Sequence, residues 1–209
     1  MKKNWMDAWQ SADFRIKLIG SILAFSVFPW KVPAYFAYVQ SRQGLALNDI
    51  VLNNIPALDV SLPIFSIMYL SVLYMIIRLL PNAKNFLLFA ITYDLETLFR
   101  MLSIYFVPLD APKDLVFLRD PLAEMFIYAN NVPVTKDLFF SGHTATMILV
   151  CLFLSGKWEK RIAFLLCGIL ASLLLVQHVH YTIDVIGALF FTPFAYFIAK
   201  KIHGSKLMP

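Results

Sequence analysis

Only two cysteines occur in 209 residues, Cys151 and Cys167. Both sit inside apolar runs, where a thiol behaves as a small hydrophobe, so no structural disulfide is expected. Seven glycines form no glycine-rich phosphate loop, and no internal repeat or low-complexity tract divides the chain. Charge is scarce as well. Asp, Glu, Lys and Arg make up 15% of the residues, against roughly 25% in a soluble domain. Interleaved basic and aromatic residues of the kind that bind nucleic acid are absent. The polar stretch from Met1 to Lys17 lacks the apolar core and small-residue cleavage site of a signal peptide.

What is present in excess is apolar surface: 60% of the residues are hydrophobic and the mean hydropathy is +0.71. This composition predicts an all-α polytopic membrane protein, read as one domain over residues 1–209. Six runs reach or approach the roughly 20 residues a helix needs to cross the hydrocarbon. They lie at about 17–40, 60–80, 85–107, 141–156, 161–181 and 183–202, which predicts a bundle of six transmembrane helices. Pro29, Lys31 and Pro33 interrupt the first run and are expected to kink it or end it early, with Lys31 snorkelling to the interface. The stretch from Leu109 to Lys136 is long for a connector, and "RDPLAEMFIYANN" within it reads as a short interfacial helix.

The basic residues flanking these runs are unevenly shared. Twelve fall on one side (Lys2, Lys3, Arg15, Lys17, Arg78, Lys84, Lys157, Lys160, Arg161, Lys200, Lys201 and Lys206) and four on the other (Arg42, Lys113, Arg119 and Lys136). The positive-inside bias then places both termini in the cytoplasm. An isoelectric point near 9.2 follows from this topology and from contact with anionic lipid, not from nucleic acid.

With that topology the unusual polar residues gather at one leaflet. His143 opens the fourth run, His178 and His180 close the fifth, Asp184 opens the sixth, and Arg100 lies in the outer part of the third. Ionisable groups inside membrane spans face a bundle interior or a wet cavity, and convergence of several at one depth points to a site. Ser141 is placed to cap the fourth helix, so that the N–H groups of Gly142, His143 and Thr144 form an anion site; Gly142 permits close backbone approach. Thr182 is placed to cap the sixth helix, with Asp184 in its first turn. Arg100 offers a fork suited to phosphate oxygens. Two imidazoles, a carboxylate, an arginine and a helix N-terminus fit phosphoryl transfer. A carboxylate on one imidazole nitrogen leaves the other as nucleophile, and the second histidine trades a proton with the alcohol. His178 lies two residues from His180, which on a helix would point the two apart. Glu96 stands one turn before Arg100 and is expected to pair with it.

"DLFFSGHT" (137–144) followed by "HVHYTIDVIGA" (178–188) resembles the type-2 phosphatidic acid phosphatase superfamily, and more closely its sphingomyelin synthase-like branch. "RMLS" (100–103) and "LNDIVLNNIPALDVS" (47–61) are similar to that branch too. The resemblance implies that His180 forms a phosphohistidine, Asp184 orients it, His143 acts as general acid and base, and Arg100 holds the phosphate. Ser141, Gly142 and Thr144 would contribute to phosphate binding, with Glu96, Asp137, His178 and Tyr181 in support. It implies a phospholipid donor, a lipid alcohol or water as acceptor, and neither cofactor nor metal. The chain has no Lys-x6-Arg-Pro segment and carries Leu174 where the soluble-type signature has arginine, which weighs against a plain phosphomonoesterase.

Three alternatives remain open at this point. The same site can hydrolyse a lipid phosphate or phosphodiester with water. His143, His178, His180 and Asp184 can instead be read as zinc ligands of an intramembrane hydrolase. Asp94, Glu96 and Arg100 alone would suit a non-enzymatic transporter. The topology makes one direct prediction: in intact cells a membrane-impermeant thiol reagent should modify a cysteine placed at Asn130 and spare one placed at Asn82. The reverse pattern would invert the sidedness.

Overall fold

The computed structural model describes residues 2–118 and 134–204, and among these the chain is helical with no strand; Leu45 and Leu109 form a single isolated parallel bridge. Seven α-helices are present among the described residues: α1 (Lys2–Trp9), α2 (Ala12–Ser41), α3 (Ser61–Leu79), α4 (Ala83–Phe106), α5 (Gly142–Phe153), α6 (Lys157–Val176) and α7 (Thr182–His203). A 3₁₀ turn, Leu52–Asn54, interrupts the link from α2 to α3. The interfacial helix expected within residues 119–131 lies outside the described residues.

Helices α2 to α7 fall on the six apolar runs, but they differ in how well each suits a bilayer. By length and composition α2, α3 and α7 can cross a membrane. The α4 helix has the length but carries Asp94, Glu96 and Arg100, and α6 opens on Lys157, Glu159, Lys160 and Arg161. With 12 residues, α5 spans about 18 Å, well short of a hydrocarbon core of about 30 Å. Pro29 and Pro33 do not end α2, which runs through both for 30 residues. The α1 helix was not expected from the polar N-terminus. It forms because Trp5 and Ala8 pack against the start of α4: Trp5 Nε1 donates to the Leu80 carbonyl at 2.7 Å, and Asn4 Oδ1 accepts the Ala83 N–H at 2.8 Å.

The main core lies between α3, α5 and α6, where Ile64, Phe65 and Met68 meet Ala145, Ile148 and Cys151 and, from α6, Cys167, Leu170 and Leu174. The α7 helix packs on α4 and α5, and its small buried residues Gly187, Ala188 and Ala195 let it come close. Gly187 is the tightest point: a Cβ there would stand 3.0 Å from Phe140 Cβ and 2.9 Å from the Phe139 ring. Phe140 in turn stacks on Phe191 of α7, ring centroids 5.0 Å apart and planes 2° from parallel. By contrast α2 lies at the periphery, with 6% of its most apolar window buried. Polar bonds hold it to α4. The Ser21 hydroxyl donates to the Asp94 carboxylate, Tyr35 Oη donates to the Met101 carbonyl at 2.6 Å, and Arg42 reaches the Ile104 and Tyr105 carbonyls at 2.8 and 2.7 Å.

The fifth run ends earlier than its apolar pattern predicts. α6 stops at Val176 in a Schellman closure: the His178 N–H returns to the Leu175 carbonyl at 2.9 Å and the Val179 N–H to the Leu174 carbonyl at 3.3 Å. His178 takes the left-handed position of that motif, φ 56°, where glycine is usual because it lacks a Cβ. Gln177, fully buried, ties this turn to the start of α3. Its Oε1 accepts the Val60 N–H at 2.6 Å, and its Nε2 donates to Ser61 Oγ at 2.9 Å. Replacing Gln177 with Ala leaves the Val60 N–H without its partner, while Ser61 Oγ keeps its bond to Asp59, a loss of about 1–3 kcal/mol. Gln177→Ala should therefore lower the thermal unfolding midpoint in detergent well below that of Ser172→Ala, an exposed change on the same helix.

Candidate active site

The site is assembled where α5 and α7 begin. Ser141, fully buried, caps α5: its Oγ accepts the Thr144 N–H at 3.3 Å and lies 3.1 Å from Thr144 Oγ1. These two hydroxyls build the helix start. One residue earlier in structure than expected, Tyr181 rather than Thr182 is the N-cap of α7, because Asp184 at the third position reaches back to the Tyr181 N–H at 2.9 Å. The same carboxylate oxygen, Oδ2, lies 3.2 Å from His180 Nδ1. Asp184 is fully buried and His180 nearly so.

The two starts are bonded to each other. The Ser141 N–H donates to the main-chain carbonyl of Asp184 at 3.0 Å, which sets the Ser-Gly-His turn against the His-Tyr-Thr-Ile-Asp turn. As a result the His143 and His180 rings stand 6.0 Å apart, centroid to centroid, and inclined at 64°. His143 also meets the edge of Phe65 at 5.9 Å. It is less buried than His180, so a ligand between the two imidazoles would meet an enclosed ring backed by a carboxylate and a more open ring opposite.

Arg100 completes this corner from α4. Its guanidinium lies over Gly142, where an added Cβ would fall 2.6 Å from Cζ, so only glycine admits the arginine at the helix N-terminus. Its Nε donates to the Phe140 carbonyl at 3.1 Å and its Nη2 pairs with Asp137. The expected Glu96 pairing is not made: the guanidinium extends forward to the strip before α5, which Ser103 also grips through Phe139 at 2.8 Å. Glu96 remains buried behind it, with Oε1 lacking a partner. Asp94, inside the same helix, is engaged by Ser21.

His178 is not brought to the His143–His180 pair. Freed from the helix by the Schellman turn, it lines a separate polar pocket of about 180 Å³ with Asn48, Asp49, Asp114 and Tyr181. Tyr181 has a structural place, its Oη accepting the Leu47 N–H at 3.2 Å and donating to the Asp110 carbonyl at 3.0 Å. Among the described residues no three His, Cys, Asp or Glu side chains are grouped to hold a metal ion, so the four residues of the zinc reading do not form one ligand set.

One residue of the site region, inside the 47–61 segment, had no role assigned from the sequence. Asp49, in the link after α2, accepts the Thr182 N–H at 2.6 Å and the Thr182 hydroxyl at 3.0 Å, and also the Val51 and Leu52 N–H groups at 2.9 and 3.3 Å. It caps α7 from outside. Burial alone would raise its carboxyl, but the hydrogen bonds from Thr182, Leu52 and Val51 outweigh burial and hold it below the ordinary carboxylate value. An aspartate 133 positions away in sequence offers no local pattern by which to foresee this.

Two neighbouring imidazoles, a carboxylate behind one and an arginine at the adjacent helix start are a set of groups chemically suited to phosphoryl or phosphodiester transfer. The family model described as PAP2 superfamily C-terminal matches residues 136–201, about a third of the chain. That stretch holds Asp137, His143, His180 and Asp184, and it ends before the close of α7; Arg100 and Asp49 lie outside it. No curated protein matches the chain.

A depressed carboxyl stabilises the fold above its unfolded-state pKa, and that stabilisation disappears as pH falls through the folded value. Asp49→Ala should destabilise the protein by about 0.5–2 kcal/mol at neutral pH, the range for a lost helix cap. Measured by thermal unfolding, the gap between wild type and Asp49→Ala should close as the pH is taken from neutral to below the normal carboxylate range. A gap that persists unchanged in acid would remove the charged cap from the account.

Proposed function

We propose that this protein is an integral membrane lipid phosphotransferase that moves a phospho-headgroup from a phospholipid to a lipid alcohol through a phosphohistidine on His180, with α2 to α7 as one six-helix membrane bundle and the site at the outer leaflet. The observation that carries the reading is the His143–His180 pair, 6.0 Å between centroids, with Asp184 bonded to the far side of one ring. The family match at residues 136–201 supports phosphate-ester chemistry in general. The sphingomyelin synthase-like assignment rests on the likeness of the motifs themselves.

Asp184 engages His180 Nδ1 and leaves Nε2 to attack phosphorus. As the N–P bond forms, the bond from phosphorus to the leaving lipid alcohol breaks, and His143, protonated, gives that oxygen its proton. In the second half His143 takes the proton of the acceptor alcohol, whose oxygen displaces His180 from phosphorus. Asp184 stabilises the cationic ring in both halves without itself being protonated. Arg100 and the start of α5 offset the charge that builds on the phosphate oxygens. Burial of His180 and Asp184 restricts bulk water and favours a lipid acceptor; hydrolysis is the second reading, supported by the general phosphatase character of the family match.

The test is incubation of the purified protein with phosphatidylcholine or phosphatidylethanolamine, with and without ceramide or diacylglycerol, read by lipid mass spectrometry. Transfer should yield the acceptor's phospho-headgroup ester; release of free headgroup phosphate without that ester would establish hydrolysis instead. His180→Ala should form no alkali-stable phosphoprotein and be inert. His143→Ala should lose about 10²–10⁴ in rate and recover partly with a nitrophenyl ester, whose leaving group needs no proton. Activity should survive a chelator. Loss in chelator with rescue by zinc, or equal and unrescued loss in both histidine variants, would overturn the phosphohistidine mechanism.

A further inference from the structure

Between α2 and α4 the structure holds a crevice of about 290 Å³. Most of its wall is apolar, with Phe28, Val32 and Phe36 on α2 facing Met101 on α4, and the charged side chains in its lining are Arg100 and Asp137. Ser21 on Asp94 lies at one level of the crevice and Arg42 on the Ile104 and Tyr105 carbonyls at the other, with Tyr35, in its lining, bonded to the Met101 carbonyl between them. The lining on α2 extends from Phe25 to Phe36, 12 residues or about 18 Å along a helix, comparable to the roughly 15 Å depth of one leaflet's hydrocarbon.

An apolar slot of leaflet length, with the Arg100–Asp137 ion pair in its lining, has the chemistry of a lipid site and not of a water channel. The same guanidinium lies over Gly142 at the start of α5, one residue from His143. A hydrocarbon chain in the crevice would therefore bring an attached phosphate toward Arg100 and the imidazole pair. We propose that the α2–α4 crevice binds one acyl chain of the lipid phosphate substrate, so that α2 serves as the wall of a chain-binding site. This rests on the reading of the site as one that acts on lipid phosphate esters.

Two variants fill the crevice from opposite walls, Val32→Trp on α2 and Met101→Trp on α4, and neither residue touches the reacting groups. Each should lower kcat/KM for a dioleoyl phospholipid about 10- to 100-fold, within the range that a methylene's worth of apolar pocket contact gives, while a dihexanoyl analogue, too short to fill the slot, should lose much less. A second readout needs neither variant nor turnover. Wild-type protein in dioleoylphosphatidylcholine nanodiscs is photolabelled with a phosphatidate phosphonate carrying a diazirine in its acyl chain. Label should concentrate in residues 25–36 and 93–104 and be displaced by unlabelled phosphatidate but not by diacylglycerol.

Label spread evenly over the lipid-facing helices, or displaced equally by diacylglycerol, would mark the crevice as an ordinary annular lipid position and overturn the inference. Equal losses for long and short substrates in both variants would do the same. If no lipid phosphate is turned over, yet labelling keeps its place and its dependence on phosphate, the crevice stands and the proposed chemistry falls.

Discussion

Asp184 is the residue on which the rest of the site depends, because three of its bonds run in three directions. Its carboxylate closes the start of α7 through Tyr181 and holds His180, and its carbonyl takes the N–H of Ser141 at the start of α5. Two motifs 40 residues apart are thereby held in one geometry. A buried carboxylate is tolerated because the donors around Oδ2 offset its desolvation, while Oδ1 has no partner among the described residues.

Around this junction the structure separates tight packing from loose attachment. Gly187, Phe140 and Phe191 bring α7 and the strip before α5 into close contact, and α3, α5 and α6 bury a continuous apolar core. The α2 helix shares little of it and is fastened to α4 by hydrogen bonds. In a bilayer, apolar contact between helices gains little over contact with lipid, so polar bonds and close packing of small residues decide which helices associate. The chain uses small residues where the site must be rigid and sparse polar fastenings at the helix beside the crevice.

Much of the candidate site's local geometry was legible because it is set by short motifs. Ser141 as a cap, Gly142 as a point of close approach and Asp184 in a first helical turn each follow from residue type and position. What failed to follow was partner choice. Arg100 has Glu96 one turn away, yet it pairs with Asp137, since the strip leading into α5 passes within reach of its fork and offers the Phe140 carbonyl as well. His178 reads as a helical neighbour of His180 until the chain is seen to leave the helix at Val176.

By itself the sequence determined that the chain is helical and apolar, where six hydrophobic segments lie, and which residue types could carry phosphoryl chemistry. These properties depend on composition and on spacing within one helix or turn, which the chain carries locally. Only the tertiary structure decided that α2 runs through both prolines, that α1 docks on α4, that α6 ends in a left-handed histidine, and that Asp49 caps α7 from 133 residues away. Each of those outcomes is set by which donors and acceptors the packed helices bring within about 3 Å, and that distance is a property of the assembled bundle, with no counterpart in the linear order of residues.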